Sequence, residues 1–394
     1  MKRITLVLTA VLLAAYLCGC VPRGVTTIEN ETDGIADEAL SRPQEQDDGP
    51  LTGVSFLTGL PVDPDLRCNT RFAAVVIDNL RISAYMQMRS GLSEASVVYE
   101  VLMTDGGLTR FLALYENYKT MPVAGPVREL YDQLFQLALP LNALVISNRM
   151  NLYTADYVDQ YGYQPWMMTP SYDDAVEGSV DYGLDVLWVN KKWTETATFE
   201  FTRYTDGGNL SEVLQYAEID AEYSYTEAVF RFLPPDELPR PLNDGAANSI
   251  SVIHSDICST QFSFNAVNGR YYMNQAWGYE YEYAYEAIDD NTGLSVGFDN
   301  VFVLFADAQP YPAQDPQRFF EGNSVIEVRF SKGGSGYYFN GGKYEKIWWL
   351  KQSPDDKIQI VSPMDKTSPV TINIGTSYVA IVNAEMQAAL SFTQ

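Results

Sequence analysis

Two apolar runs of strand length, SVVYEVLM (96–103) and LTRFLALY (108–115), flank Thr104-Asp105-Gly106-Gly107. β-branched and aromatic residues in such runs favour extended chain. An Asp-Gly-Gly between them supplies the positive φ that a tight hairpin needs. The hairpin decides which side chains share a face. With a three-residue loop, Thr104 to Gly106, and Gly106 left-handed, Glu100 falls opposite Arg110, and the two are expected to form a structural ion pair.

Strands and helices then alternate. FAAVVIDN (72–79) and ALVISN (143–148) are short apolar runs of buried-strand type. Between them Gly125-Pro126 precedes VRELYDQLFQLALPL, where Val127, Leu130, Leu134, Leu137 and Leu141 keep helical spacing. Pro126 suits a first helical position, so a helix is expected from there. TADYVDQY (154–161) predicts a second, shorter helix. LPPDELPRPLNDGA (233–246), rich in proline and acids, marks a boundary. Beyond it come strand-like runs, among them SISVIHS, NVFVLF and TSYVAIV, separated by Gly and Asn turns. The expected fold class is α+β: an N-terminal mixed α/β domain over 51–235, followed by a mainly antiparallel β-rich domain over 236–394.

The first twenty residues, MKRITLVLTAVLLAAYLCGC, read as a targeting segment. Lys2 and Arg3 precede an apolar stretch too short for a comfortable bilayer span. It ends in Leu17-Cys18-Gly19-Cys20, which resembles a bacterial lipobox with Cys20 as the lipidated residue. Residues 21–50 carry many acids and no apolar periodicity, and are expected to be a disordered tether with a reach of roughly 30 Å. The partner implied is a membrane, met through a lipid anchor on Cys20 at the outer face of the cytoplasmic membrane. Of the remaining cysteines, Cys68 and Cys258 lie far apart and are expected as two separate thiols.

The chain has 51 acids against 26 bases, a formal charge of −25, with no basic stripe of useful length. That balance excludes nucleic acid as a partner. Hydrolase chemistry is poorly supplied, because the one histidine, His254, sits in a strand-like run and no Gly-x-Ser-x-Gly elbow exists. Cys258 is four residues from His254, roughly 13 Å along a continuous strand and too far to pair. One histidine and no Asp-x-Asp-x-Asp-Gly loop leave no expected metal site, and no cofactor is expected. Acidic pairs such as Asp173-Asp174 and Asp289-Asp290 are unremarkable in so acidic a chain. The alternating run WGYEYEYAYE (277–286) puts Trp277, Tyr279, Tyr281, Tyr283 and Tyr285 on one strand face, and packing is expected over an exposed sugar-stacking stripe.

Arg128 is the more suggestive arginine. At the start of the expected helix it would sit where a base is unfavourable and an anion welcome. Gly125, Arg128 and the strand-end pair Asp78-Asn79 are therefore the candidate anion or ligand site, weighed against a salt bridge from Arg128 to Glu94, Glu129 or Asp132.

With those motifs placed, the chain resembles the YerB-like lipoproteins of Gram-positive bacteria. The resemblance runs through TGLPV (58–62), AAVVIDN (73–79), SGLSEASVVYE (90–100), GGLTRFLALY (106–115) and GPVR (125–128). It resumes at DNTGLSVGFDNVFVLF (290–305) and GGSGYYFNGGKYEKIWW (333–349). It implies two domains of unknown function. The family extends Gly-Pro-Val-Arg with Ser-Ala-Arg, whereas Glu129-Leu130 follows Arg128 here, thinning the basic part of the family's cleft. The expected role is a membrane-anchored binding or accessory protein of the cell envelope, recognising a wall component or another envelope protein. The alternative is an envelope-acting enzyme using Asp78, Glu100, Arg110 and Arg128. Replacing Cys20 by Ala is expected to move the protein from the membrane to the soluble fraction, read by fractionation and immunoblot; retention in the membrane would remove the lipobox assignment.

Overall fold

The computed structural model describes residues 53–62, 69–79, 88–170, 185–278, 283–312 and 323–393. The anchor and tether expected over 1–50, together with Cys68, Asp173-Asp174, Tyr279 and Tyr281, lie outside them. Residues 50–394 form one compact unit.

Strands predominate over helices. β1 (Ala73–Asp78) is buried at every residue, as its unbroken apolar run requires. β2 (Val97–Leu102) and β3 (Thr109–Tyr115) form the hairpin, and β3 pairs with β1 on its other side. β4 (Leu144–Ile146) and β5 (Met167–Met168) extend the sheet in parallel beyond β1.

The later strands enter the same sheet. β6 (Gly245–Ala246) lies at its far edge, while β7 (Ser249–Ser255), β8 (Cys258–Asn265), β9 (Arg270–Trp277), β10 (Tyr283–Glu286) and β11 (Gly297–Phe298) belong to a second, antiparallel sheet. β12 (Asn300–Ala306), β13 (Gly334–Asn340), β14 (Lys343–Leu350), β15 (Gln359–Val361) and β16 (Ser377–Asn383) return to the first, and β17 (Ser391–Thr393) closes the second beside β7. The large sheet has eleven strands in the order β6-β14-β13-β12-β16-β2-β3-β1-β4-β5, with β15 beside β14. Its junction is parallel on both sides of β16: Ala380 lies opposite Glu100 of β2 and opposite Val303 of β12. One continuous sheet thus crosses the division at 235/236.

Both faces of this sheet are covered. Val76, Val97, Val101, Leu112 and Leu114 pack against α1 (Asp132–Ala138) and α2 (Leu152–Gln160). Val75, Val98, Phe111 and Ala113 face Ile250, Val252, Phe262 and Met273 of the second sheet. A third helix, α3 (Gly207–Tyr216), packs Leu210 and Leu214 into that second core, with Asp206 accepting from the Asn209 N–H at its start.

The hairpin register differs from the expected one. Leu102 pairs with Thr109, Met103 N–H donates to Leu108 O at 2.7 Å, and the turn is Thr104 to Gly107 with Gly107 at φ +83°. The loop is one residue longer, so Glu100 faces Phe111 while Arg110 faces Val101. A slip of one residue moves a side chain to the other face of a strand, and the expected Glu100–Arg110 pair does not form. A fragment ending at residue 235 leaves β2 without β16, and is expected to lack the cooperative urea transition of the whole chain when followed by far-ultraviolet circular dichroism; a fragment with a sharp transition of its own would contradict this.

Candidate functional site

The sequence-predicted residues fall into two buried polar groups on opposite faces of the large sheet. Asp78 lies directly across from Arg110, whose Nη1 is 2.7 Å from Asp78 Oδ1. Arg128 joins this group with Nε 3.7 Å from Asp78 Oδ2, and Nη2 3.8 Å from Glu129 Oε2 and 3.6 Å from Glu200 Oε2. Arg110 Nη2 also lies 3.8 Å from Glu129, and Arg149 closes on the other Glu129 oxygen. The Arg128 guanidinium lies over the Phe201 ring at 4.4 Å. Burial raises the Glu129 carboxyl, but Arg128, Arg110 and Arg149 outweigh it and hold the group below its usual range.

Arg128 is not in a helix. α1 begins only at Asp132, with Tyr131 as its cap. The groups that a helix from Pro126 would pair first are already committed: Leu130 N–H donates to Arg149 O at 2.8 Å, and Pro126 O accepts from Asp78 N–H at 2.9 Å. Residues 126–128 run along the edge of β1 where β4 stops, so Arg128 is held by acids rather than by a helix end. Of its weighed partners Glu129 is used; Glu94 accepts instead from Asn291. Asp132 accepts from the Tyr311 hydroxyl at 2.8 Å, and burial pushes its carboxyl up to about 7. Gly125 precedes a cis bond to Pro126, and a β-carbon there would lie 2.7 Å from the Tyr204 ring, so glycine is required by close approach.

Asn79, next to Asp78, points to the opposite face. There its Nδ2 donates to Glu100 Oε1 at 2.8 Å, alongside Thr109 Oγ1 at 2.8 Å. Glu100 Oε2 accepts from Thr260 at 2.8 Å and from the Tyr378 hydroxyl at 2.6 Å. Arg89, wholly buried, donates to Asn79 Oδ1 at 3.2 Å and to Gln275. The four residues of the enzyme alternative therefore do not share a cleft: Glu100 is separated from Asp78, Arg110 and Arg128 by the sheet itself.

His254 and Cys258 join the Glu100 group, which sequence spacing missed. The chain reverses between them, with Ser255 opposite Cys258 across the β7–β8 turn, so the straight-strand separation does not apply. His254 Nε2 lies 3.4 Å from Glu100 Oε1, and Cys258 Sγ lies 3.7 Å from Thr109 Oγ1. Burial lowers the imidazole, with Glu100 offsetting part of the effect, so the ring is neutral at pH 7. Trp277 of the aromatic run is buried and packs with Cys258 and Tyr285. Among the described residues, no cluster of histidine, cysteine and acids is placed to hold a metal ion, and no helix is long and apolar enough to cross a membrane.

An open cleft of about 790 Å³ lies elsewhere, against the second sheet. Ser263 pairs with Tyr272, and Asn274 with Glu286, on the outward face of β8, β9 and β10. Arg270 and Glu94 also line the cleft. The Tyr272 ring lies against Gly297, where a β-carbon would meet it at 3.0 Å. Amide, hydroxyl, carboxylate and guanidinium groups thus surround the half-buried Tyr272 ring.

Two family models match the chain: the N-terminal domain of DUF3048, a protein of unknown function, over residues 57–218, and its C-terminal domain over residues 250–379. The crystal structure of the YerB protein from Bacillus subtilis superposes with a TM-score of 0.65 at 17% identity, covering 87% of this chain and 100% of that one. No curated protein sequence matches significantly. The buried arginine group is expected to carry stability: Arg128→Ala should cost about 3–5 kcal/mol in urea unfolding, because it leaves buried carboxylates unpaired, and a loss below about 1 kcal/mol would show that it is dispensable to the fold.

Proposed function

The chain belongs to the YerB-like two-domain family, and from that premise we propose that it is a lipid-anchored binding protein of the cell envelope. Cys20 carries the acyl chains at the outer face of the cytoplasmic membrane, and the acidic tether over 21–50 sets the reach of the body. The body combines a mixed α/β part over 51–235 with a β-rich part over 236–394. Its ligand is a neutral, hydroxyl-rich polymer of the wall.

The observation that carries this reading is the composition of the cleft on the second sheet. Sugars present flat apolar ring faces edged by hydroxyls, and are met by an aromatic face with planar hydrogen-bonding groups around it. Tyr272, Asn274, Glu286 and Arg270 supply that combination at an open surface of about 790 Å³. Two acids, Glu94 and Glu286, stand against one base, Arg270, which disfavours an anionic ligand. The buried Asp78–Arg110–Arg128–Glu129 group offers such a ligand no open charge, since acids already occupy its arginines.

Co-sedimentation with insoluble wall polysaccharide tests the proposal. The protein is expected to pellet with the polymer, and Tyr272→Ala to weaken binding about tenfold with an unchanged melting temperature. Failure to sediment, or equal binding by Tyr272→Ala, would remove the cleft from the function.

A further inference from the structure

Asp132 opens α1, and the residue has no exposed surface. One carboxyl oxygen accepts from the Tyr311 hydroxyl at 2.8 Å, while the other, Oδ1, has no hydrogen-bond partner. A carboxylate taken out of water needs a cation or several donors. Among the described residues Asp132 enters no ion pair, and the charge that reaches it is that of another acid, Glu327.

The groups packed around this carboxyl are acidic or neutral. Glu327 comes from the short strand Ile326–Val328, which pairs with Ala308–Pro310. Tyr157 comes from α2, Gln136 from the next turn of α1, and Tyr311 from just beyond Pro310. Burial pushes the Asp132 carboxyl up to about 7, against the opposing pull of the Tyr311 hydroxyl. Tyr311 is half-buried, so it stands between the carboxyl and solvent. Its ring stacks on that of Tyr153 in α2, with centroids 3.8 Å apart and planes 7° from parallel. Its N–H donates to Val325 O at 2.9 Å, which fixes the backbone beneath the side chain.

We propose that Tyr311 is a proton-controlled cover: it lies over Asp132 while the carboxyl keeps its proton, and swings outward when that proton passes to bulk water. The neutral acid can stay dry with one hydrogen bond, whereas the carboxylate recovers its solvation only if water enters. Rotation of the side chain gives up the Tyr153 stack but no backbone hydrogen bond. In the unfolded chain the same group ionises near about 4. Its contribution to stability is therefore complete below that pH and is lost as the pH rises to about 7.

Hydroxyl-radical footprinting of the full-length protein, read at Tyr311 by mass spectrometry, tests the cover at about pH 5.5 and about pH 8.5, on either side of the titration. Oxidation of Tyr311 is expected to rise severalfold at the higher pH, and to stay level in Asp132→Asn, which keeps the shape without the charge. In urea unfolding, the equilibrium constant for unfolding should rise relative to Asp132→Asn by up to about tenfold per pH unit between those limits, then level off. Tyr311→Phe should move that change to higher pH, because the lost hydroxyl favoured the ionised form. Equal oxidation of Tyr311 at both pH values, the same pH response in Asp132→Asn, or no displacement in Tyr311→Phe would overturn the proposal.

Discussion

The carboxylate of Glu100 is the constraint on which the two sheets depend. It sits in the middle of β2, wholly buried, and takes hydrogen bonds from β3 through Thr109, from β8 through Thr260, from β16 through Tyr378 and from the end of β1 through Asn79. A buried carboxylate is tolerated only when its acceptor sites are filled, and here each donor comes from a different segment. A wrong register in any of them would leave both a donor and the charge unmatched. The group therefore selects one arrangement of the sheets against near alternatives, which apolar packing alone discriminates poorly.

The charge balance follows the same logic. Most acids among the described residues are solvated, yet several arginines are drawn inward: Arg71, Arg89, Arg110 and Arg128 are buried. Arg110 and Arg128 meet Asp78 and Glu129, while Arg89 meets neutral amides near Glu100. Burial lowers the Arg89 guanidinium, and Tyr285, Glu100, Asp78 and Asp289 partly offset that. Pairing of this kind contributes little net stability over a well-packed apolar core, but losing one partner is expensive. The motif residues GGLTRF and GPVR are thereby explained as parts of one interior network.

Local sequence signals were sufficient for the strands. The continuous run at 72–79, the spacing of SISVIHS and the apolar NVFVLF and TSYVAIV segments each correspond to an observed strand, because length and composition alone select extended chain there. The errors came where a neighbour distant in sequence decided the outcome. Helical spacing from Val127 was real, yet the Arg149 carbonyl takes the Leu130 N–H and Asp78 N–H takes the Pro126 carbonyl that the first helical bond would join. A single additional turn residue, Gly107, inverted the partners of Glu100 and Arg110. His254 and Cys258 approach for the same reason, since a turn between them replaces the straight strand that their spacing suggests. The Tyr272 cleft gave no signal beyond ordinary alternation, because the outward face of β8, β9 and β10 becomes a cleft only where Glu94, far off in the chain, stands beside it.

The position of β16 has a consequence for the order of folding. Residues 377–383 slot between β2 and β12, so the middle of the large sheet is synthesised only after both of its neighbours. Until it arrives, β2 is an apolar edge strand with its backbone groups open to any passing extended chain. Closing the sheet joins segments nearly three hundred residues apart, a slow kind of contact to form. A chain built this way keeps its native topology out of reach until residues 377–383 have been made.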